Sequence, residues 1–174
     1  MNICCYHGTD EVSSKSILSS RVFQVDRRPN HWLGNGAYFF VDDLDKARWW
    51  ASSIAKKRDK LAVVLCFNIK FNDVELLNLN TDADLGKLDE FATKLFKSLE
   101  SNNVLMKFKD IHERNCFVLD NFFKKNPDYK AVRRTFSSTN TKVGKSGFSM
   151  LSDQLCIMDQ SIIPFSQIKV SNVN

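Results

Sequence analysis

The run Leu33-Gly34-Asn35-Gly36-Ala37-Tyr38-Phe39-Phe40 joins two glycines to an aromatic pair. Glycine lets the backbone take positive φ and lets a ligand come close. A Tyr placed just after such a turn can offer its ring face to a flat ligand. Two further stretches bear on it: Tyr6-His7-Gly8-Thr9 upstream and Asp153-Gln154-Leu155-Cys156-Ile157-Met158-Asp159 downstream. A neutral imidazole can both donate and accept toward a hydroxyl, and an amide can accept from one without carrying charge. Plain structural roles stand beside these. Gly-Asn-Gly before a strand is also an ordinary turn. His7 also fits a satisfied structural histidine, Tyr38 a core aromatic and Gln154 a solvated strand residue.

Those residues must be held by regular elements. Ile3 to His7 is expected to be a first strand. Thr9 or Asp10 then caps a helix to about Ser19, with Val12 and Ile17 inward. Gln24 to Trp32 is a polar, basic loop containing Arg27, Arg28 and His31, of the kind that often holds substrate. Tyr38 to Val41 is a short strand, and Asp42 caps the next helix. On that helix Leu44, Ala47, Ala51 and Ile54 share one face, and Lys56-Lys57-Arg58 closes it at its carbonyl end. Leu61 to Ile69 is expected to be a central buried strand. Thr81 to Glu100 and Asp110 to Lys125 are expected to be helices, with Ile111, Val118, Leu119, Phe122 and Phe123 as the apolar positions of the second. Pro127 ends that helix. Ala131 to Phe136, Gln154 to Asp159 and Ile168 to Val170 are further strands, and Ser137 to Gly147 is a mobile loop. No linker or repeat divides residues 1–174, so a single α+β domain is expected.

Composition narrows the function classes. The 174 residues suffice for a real core, and an apolar fraction of 43% is ordinary for a soluble domain. The net charge of +5 permits an acidic partner such as nucleic acid without demanding one. The cysteines Cys4, Cys5, Cys66, Cys116 and Cys156 form no C-x-x-C pair, so no metal is expected. Several sit in apolar runs as buried free thiols, which suits a reducing cytosol. Met-Asn-Ile-Cys-Cys-Tyr lacks the regions of a signal peptide, and Leu61 to Phe67 is too short to span a bilayer. A cytoplasmic protein without a membrane partner is the expectation. Gly144-Lys145-Ser146 is not a P-loop, because Thr139 stands where the first glycine is required.

In order and content the three stretches resemble the H-Y-E class of ADP-ribosyltransferases, the group of the poly(ADP-ribose) polymerases, diphtheria-type toxins and many small bacterial toxins. The likeness is anchored at His7-Gly8-Thr9, at Gly34-Asn35-Gly36-Ala37-Tyr38-Phe39 and at Gln154. The middle of the chain, about 80–127, stands outside it as a helical insert. The resemblance implies two small central antiparallel sheets forming an NAD cleft, with flanking helices. It implies NAD as co-substrate, bound by His7, Gly8, Thr9, Gly36, Tyr38 and Trp49. His7 would bond the adenosine ribose, the Gly8 backbone would hold the nicotinamide carboxamide, Tyr38 would stack on the nicotinamide, and Trp49 would complete a ring sandwich. Trp32 and Trp50 read as packing residues.

The catalytic set implied is His7, Tyr38 and Gln154. Gln154 stands where the family usually has Glu, and an amide cannot supply a carboxylate's charge to an oxocarbenium-like ribose. Single-unit transfer is therefore expected rather than polymer synthesis. Ser152, two positions earlier, disfavours an arginine acceptor. Lys46 or Ala47 falls where the family often has Ser. The expectation is an intracellular mono-ADP-ribosyltransferase, the toxin of a toxin–antitoxin or phage-defence system with a cognate antitoxin partner. Its acceptor is a nucleic acid, RNA included, slightly favoured over protein. Arg27, Arg28, Arg133 and Arg134, with Lys142 and Lys145, are the basic residues that would face such an acceptor. An NAD glycohydrolase and a silent NAD or ADP-ribose-binding module acting through a protein partner remain open. RNA 2′-phosphotransferases share the fold and a similar start but need further His and Arg residues where this chain has Tyr38.

Overall fold

The structure is a computed structural model and describes residues 1–72, 74–137, 145 and 150–173. It is α+β. The elements run β1 (Asn2–Asp10), α1 (Glu11–Ser20), β2 (Ala37–Val41), α2 (Leu44–Arg58), β3 (Ala62–Lys70), β4 (Leu76–Asn78), α3 (Asp82–Ser101), α4 (Ile111–Lys125), β5 (Ala131–Ser137), β6 (Leu151–Ile157) and β7 (Lys169–Asn172). Two short 3-10 turns, Gln160–Ile162 and Phe165–Gln167, precede β7. Among the described residues no helix is long and apolar enough to cross a membrane.

The seven strands form one sheet in the order β4-β5-β6-β2-β1-β3-β7. This corrects the expected pair of separate small sheets. Every pairing is antiparallel except β4 with β5. The two expected halves are joined through β1 and β2. That ladder contains only Cys5↔Val41 and Tyr6↔Phe40, whereas β1 and β3 pair from Asn2↔Lys70 to Asp10↔Ala62.

Alternation along the strands builds two faces. One carries Ile3, Cys5, Phe39, Val41, Leu65, Phe67, Leu155 and Ile157, packed with Ile17, Phe23 and Ile163. The other is split between two helical layers. Ala47 and Ala51 of α2 pack on Val64, Tyr6 and Phe40. Leu119 and Phe122 of α4, with Leu85 and Leu88 of α3, pack on Leu77, Val132, Cys156 and Tyr38. On this face β2 therefore lies at the seam, with Phe40 under one layer and Tyr38 under the other.

Local chemistry places the helix starts. Asp10, Thr81 and Asp110 cap α1, α3 and α4 by accepting from the backbone N–H groups of Ser13, Asp84 and Glu113. The cap of α2 is Asp43, not the expected Asp42. Asp42 instead sits at a left-handed φ of 52° with its N–H on Cys4 O. In α1 the buried residues are Ser14 and Ile17, while Val12 is exposed; Ile111 at the start of α4 is exposed too. Strand β6 begins at Leu151, three residues before the expected start. The expected loop from Ser137 to Gly147, with Lys142, lies largely outside the described residues.

Candidate functional site

The centre of the site is the point where β1 and β2 part. Asp42 N–H donates to Cys4 O at 3.0 Å, and Tyr6 pairs with Phe40. Along a strand, backbone polar groups turn to the same side every second residue. Cys4, Tyr6 and Gly8 therefore all aim their N–H and C=O toward β2. The next pair in line would be Gly8 with Tyr38, and the ladder does not make it. Instead His7 Nδ1 lies 2.9 Å from Tyr38 O. A carbonyl oxygen only accepts, so Nδ1 carries the proton and Nε2 presents a lone pair. Nε2 has no hydrogen-bond partner among the described residues. Burial lowers the His7 pKa below its ordinary 6.5, and the Tyr38 carbonyl partly opposes that shift. The ring is held edge-on by Phe23 at 5.0 Å and tilted against Phe39 at 5.7 Å.

Gly8 has a second constraint. A Cβ there would meet Ala47 O at 2.2 Å and Ala51 N at 2.8 Å. Only glycine lets α2 lie this close to β1, and the closeness roofs the open backbone edge with a helix.

Tyr38 is fixed by its hydroxyl, which accepts from Leu33 N–H at 2.8 Å and donates to Gly34 O at 3.0 Å. Burial pushes its pKa well above the usual tyrosine range. Gly34 has φ +81°, a conformation natural to glycine, and this closes the turn back on the ring. His31 lies beside the ring at 5.8 Å. Asn35 fastens the same turn to α4: its Nδ2 donates to Asp120 Oδ2 at 2.9 Å and approaches Cys116 Sγ at 3.3 Å. Its Oδ1 accepts from Arg28 N–H at 2.9 Å. Upstream, Gln160 clamps Phe23 by accepting from its N–H and donating to its carbonyl. Sequence reasoning missed Asn35, Asp120 and Gln160 as positioning groups. Asn35 stood inside the chosen motif, but its partner is 85 residues away.

Gln154 pairs with Phe40 on one side and Arg134 on the other, so it shares a face with Tyr38. Its one side-chain hydrogen bond among the described residues runs from Nε2 to Ser152 Oγ at 3.4 Å. Leu155 turns to the opposite face and is fully buried. Asp153 also faces away and is tied to Arg133 by a 2.6 Å ion pair. His7 lies on the Phe39 face and meets the other two residues only through the strand gap. Thr9 is buried opposite Val63, and Gly36 presses against Ile157 O.

Two expectations change. Trp49 is 67% exposed, two residues beyond the buried Ala47. It sits on the outer face of α2, and its one ring neighbour among the described residues is Trp50, not Tyr38. Arg133 and Arg134 point to opposite faces, as successive strand residues must. Arg133 is neutralised by Asp153, and Arg134 donates to Leu79 O at 2.7 Å. Arg133 and Arg134 therefore form no common basic edge with each other, and in the exposed loop Arg28 is paired with Asp26. Ala47, at the position where the family often has Ser, is buried against Gly8, and Lys46 is paired with Asp43.

Chemically, the gap brings the Gly8 backbone edge beside an imidazole, with the Tyr38 ring packed on the adjoining α3–α4 face. That set suits a flat amide joined to a hydroxylated group. Among the described residues no cluster of His, Cys, Asp or Glu could hold a metal.

Comparison with known proteins adds little to this geometry. No family model matches the chain, and no solved structure matches it. A 57-residue stretch is 37% identical to a curated protein of Methanocaldococcus jannaschii named "Uncharacterized protein MJ0359". The match covers 32% of this chain, and the chain spans about a quarter (26%) of that protein's length.

Proposed function

We propose that the chain is a mono-ADP-ribosyltransferase that cleaves NAD and passes ADP-ribose to an intracellular macromolecule. The observation that carries this reading is the break in the β1–β2 ladder at Gly8 and Tyr38. Because His7 takes the Tyr38 carbonyl, Gly8 completes no ladder pair with Tyr38 among the described residues, and its N–H and C=O lie on the side of the gap. A carboxamide has one acceptor and one donor on a plane, and it completes such an edge as a strand residue would. Nicotinamide seated there lies next to Tyr38. The lone pair of His7 Nε2 then accepts from a ribose hydroxyl.

The reaction breaks the bond between ribose C1′ and the nicotinamide nitrogen. The bonding pair leaves with nicotinamide, which becomes neutral, and positive charge develops on the ribose. An acceptor nucleophile forms the new bond to C1′ and releases its proton. Gln154 orients the ribose or the acceptor by hydrogen bonding, without adding charge. The biological role consistent with this chemistry is that of a toxin in a toxin–antitoxin or phage-defence pair, acting in the cytoplasm with an antitoxin as its protein partner.

The amide at Gln154 favours a second reading, in which water replaces the acceptor or turnover is absent and the fold acts as an NAD-binding module. Incubation with labelled NAD separates them. Label on a macromolecule supports transfer, free ADP-ribose supports hydrolysis, and bound but intact NAD supports the module. Nuclease and protease digestion of labelled lysate then assigns the acceptor to nucleic acid or protein.

A further inference from the structure

Release of Trp49 from the NAD site leaves a feature that needs its own explanation. Trp49 and Trp50 stand side by side on α2, 67% and 45% exposed, with ring centroids 6.0 Å apart. Neither belongs to a core cluster. Seven residues on, two helical turns and about 10 Å along the axis, come Lys56 and Lys57. Both are exposed, with no ion pair among the described residues. A step of seven residues returns to almost the same helical azimuth. Trp49 therefore lines up with Lys56 and Trp50 with Lys57, and the small Ser53 lies between the rows. Lys60, also exposed and unpaired among the described residues, extends the cationic end.

From this arrangement we infer that the outer face of α2 binds single-stranded nucleic acid, with bases stacked on the two indoles and phosphates on the lysines. Indole faces take any base and lysines neutralise the backbone, the pairing used by sequence-tolerant single-strand binders. The charge is of the right sign: the run Lys56-Lys57-Arg58-Asp59-Lys60 holds one carboxylate among its cations, and Arg58 is engaged by Asp10. A membrane surface suits the face less well. An interfacial helix needs a free apolar side, and the apolar side of α2, Ala47, Ala51 and Ala55, is buried against the sheet. A duplex suits it less as well, because its bases offer no exposed faces for stacking. As a binding surface the helix face stands apart from the NAD chemistry. As the place that presents an acceptor it rests on the transferase reading. It also moves the basic surface from Arg133 and Arg134 to α2.

The test is done without NAD, so that failure here and failure of the transferase reading are separate results. Fluorescently labelled single-stranded RNA and DNA of roughly 12 nucleotides, within the span of one small binding domain, are titrated by anisotropy. The same sequences as duplexes and anionic phospholipid vesicles serve as comparison. Trp49→Ala and Trp50→Ala should each weaken single-strand binding roughly 5- to 150-fold, with Trp49→Phe retaining most of it. Lys56→Gln with Lys57→Gln should reduce the slope of log affinity against log salt by about 1.4. All four residues are exposed, so circular dichroism should show unchanged folding. Absence of single-strand binding overturns the inference. So does binding indifferent to these changes, tighter binding of duplex, or binding of vesicles in place of oligonucleotide.

Discussion

Two substitutions of His7 separate its structural duty from its role toward a ligand. Phe at this position keeps a ring against Phe23 and Phe39, whose centroids lie 5.0 and 5.7 Å from the imidazole, but leaves Tyr38 O without its donor. A buried acceptor stripped of its partner costs about 1–3 kcal/mol. Asn does the opposite. Its amide nitrogen lies as many bonds from Cβ as Nδ1 does, so it can donate to Tyr38 O. It gives up both ring contacts, at about 0.5–1.5 kcal/mol each. Urea unfolding should therefore show both variants folded and less stable, for different reasons. Neither variant has the Nε2 lone pair. If that lone pair accepts from a ribose hydroxyl, calorimetric titration with NAD should show both binding roughly 5- to 150-fold more weakly, the equivalent of about 1–3 kcal/mol. Wild-type NAD affinity in either folded variant would refute the reasoning, because it would mean that His7 serves the strand gap alone. The pH profile gives a third check. Burial holds the His7 pKa below 6.5, so the unfolded chain takes up the proton first. The stability contributed by neutral His7 is fully present above pH 6.5 and is lost as pH falls from there through the folded value.

Other perturbations follow from the same geometry. Tyr38→Phe should cost about 1–3 kcal/mol in thermal or urea unfolding, since Leu33 N–H and Gly34 O both lose the hydroxyl; an unchanged midpoint would show that water replaces it. Gln154→Ala should lower NAD turnover while leaving NAD affinity largely intact, and Gln154→Glu should keep or raise cleavage, with more hydrolysis, unless the amide reads the acceptor; turnover indifferent to both would remove Gln154 from the site. For Asp10, burial would raise the pKa, but the Ser13 N–H and the Arg58 guanidinium outweigh it and hold the carboxyl below 3.8. Its stabilisation is thus complete above pH 3.8 and lost as pH falls through the folded value, and Arg58→Gln should flatten that acid limb of an unfolding series. Arg58 is 58% exposed but Asp10 only 2%, so removal of the guanidinium leaves a buried carboxylate on Ser13 alone and should cost about 1–3 kcal/mol at neutral pH.

What could be read in advance was local. The starts of α1, α3 and α4 were legible because a helix start is set by its cap residue and the next three. Two adjacent aspartates defeated the same logic at α2, where a hydrogen bond to Cys4 holds Asp42 in a left-handed conformation and passes the capping role to Asp43. Val12 was misplaced because a first-turn residue has no preceding turn to lie against. The opposed directions of Arg133 and Arg134 followed from the strand period and could have been drawn from the sequence; so could the outward direction of Trp49, two residues past Ala47. Distant partners could not. Strand β4 is three residues long and pairs in parallel with a strand more than 50 residues on. The strand gap that shapes the candidate site arises because a side chain replaces one backbone donor, and residue types alone do not reveal that substitution.

The bond between Asn35 and Asp120 makes the helical region an anchor rather than a removable cassette. Residues 80–127 carry no part of the His7, Tyr38 and Gln154 set, which would recommend them for excision when a minimal version of the protein is built. Yet Asp120 and Cys116 of α4 grip the side chain of Asn35, and Tyr38 packs against the apolar cluster that Leu119 and Phe122 help to form. Joining residue 79 to residue 128 would leave the glycine turn without a moorage and bare an aromatic floor to solvent. A shortened protein would need a replacement carboxylate facing Asn35 before its strands could hold Tyr38 at the same angle.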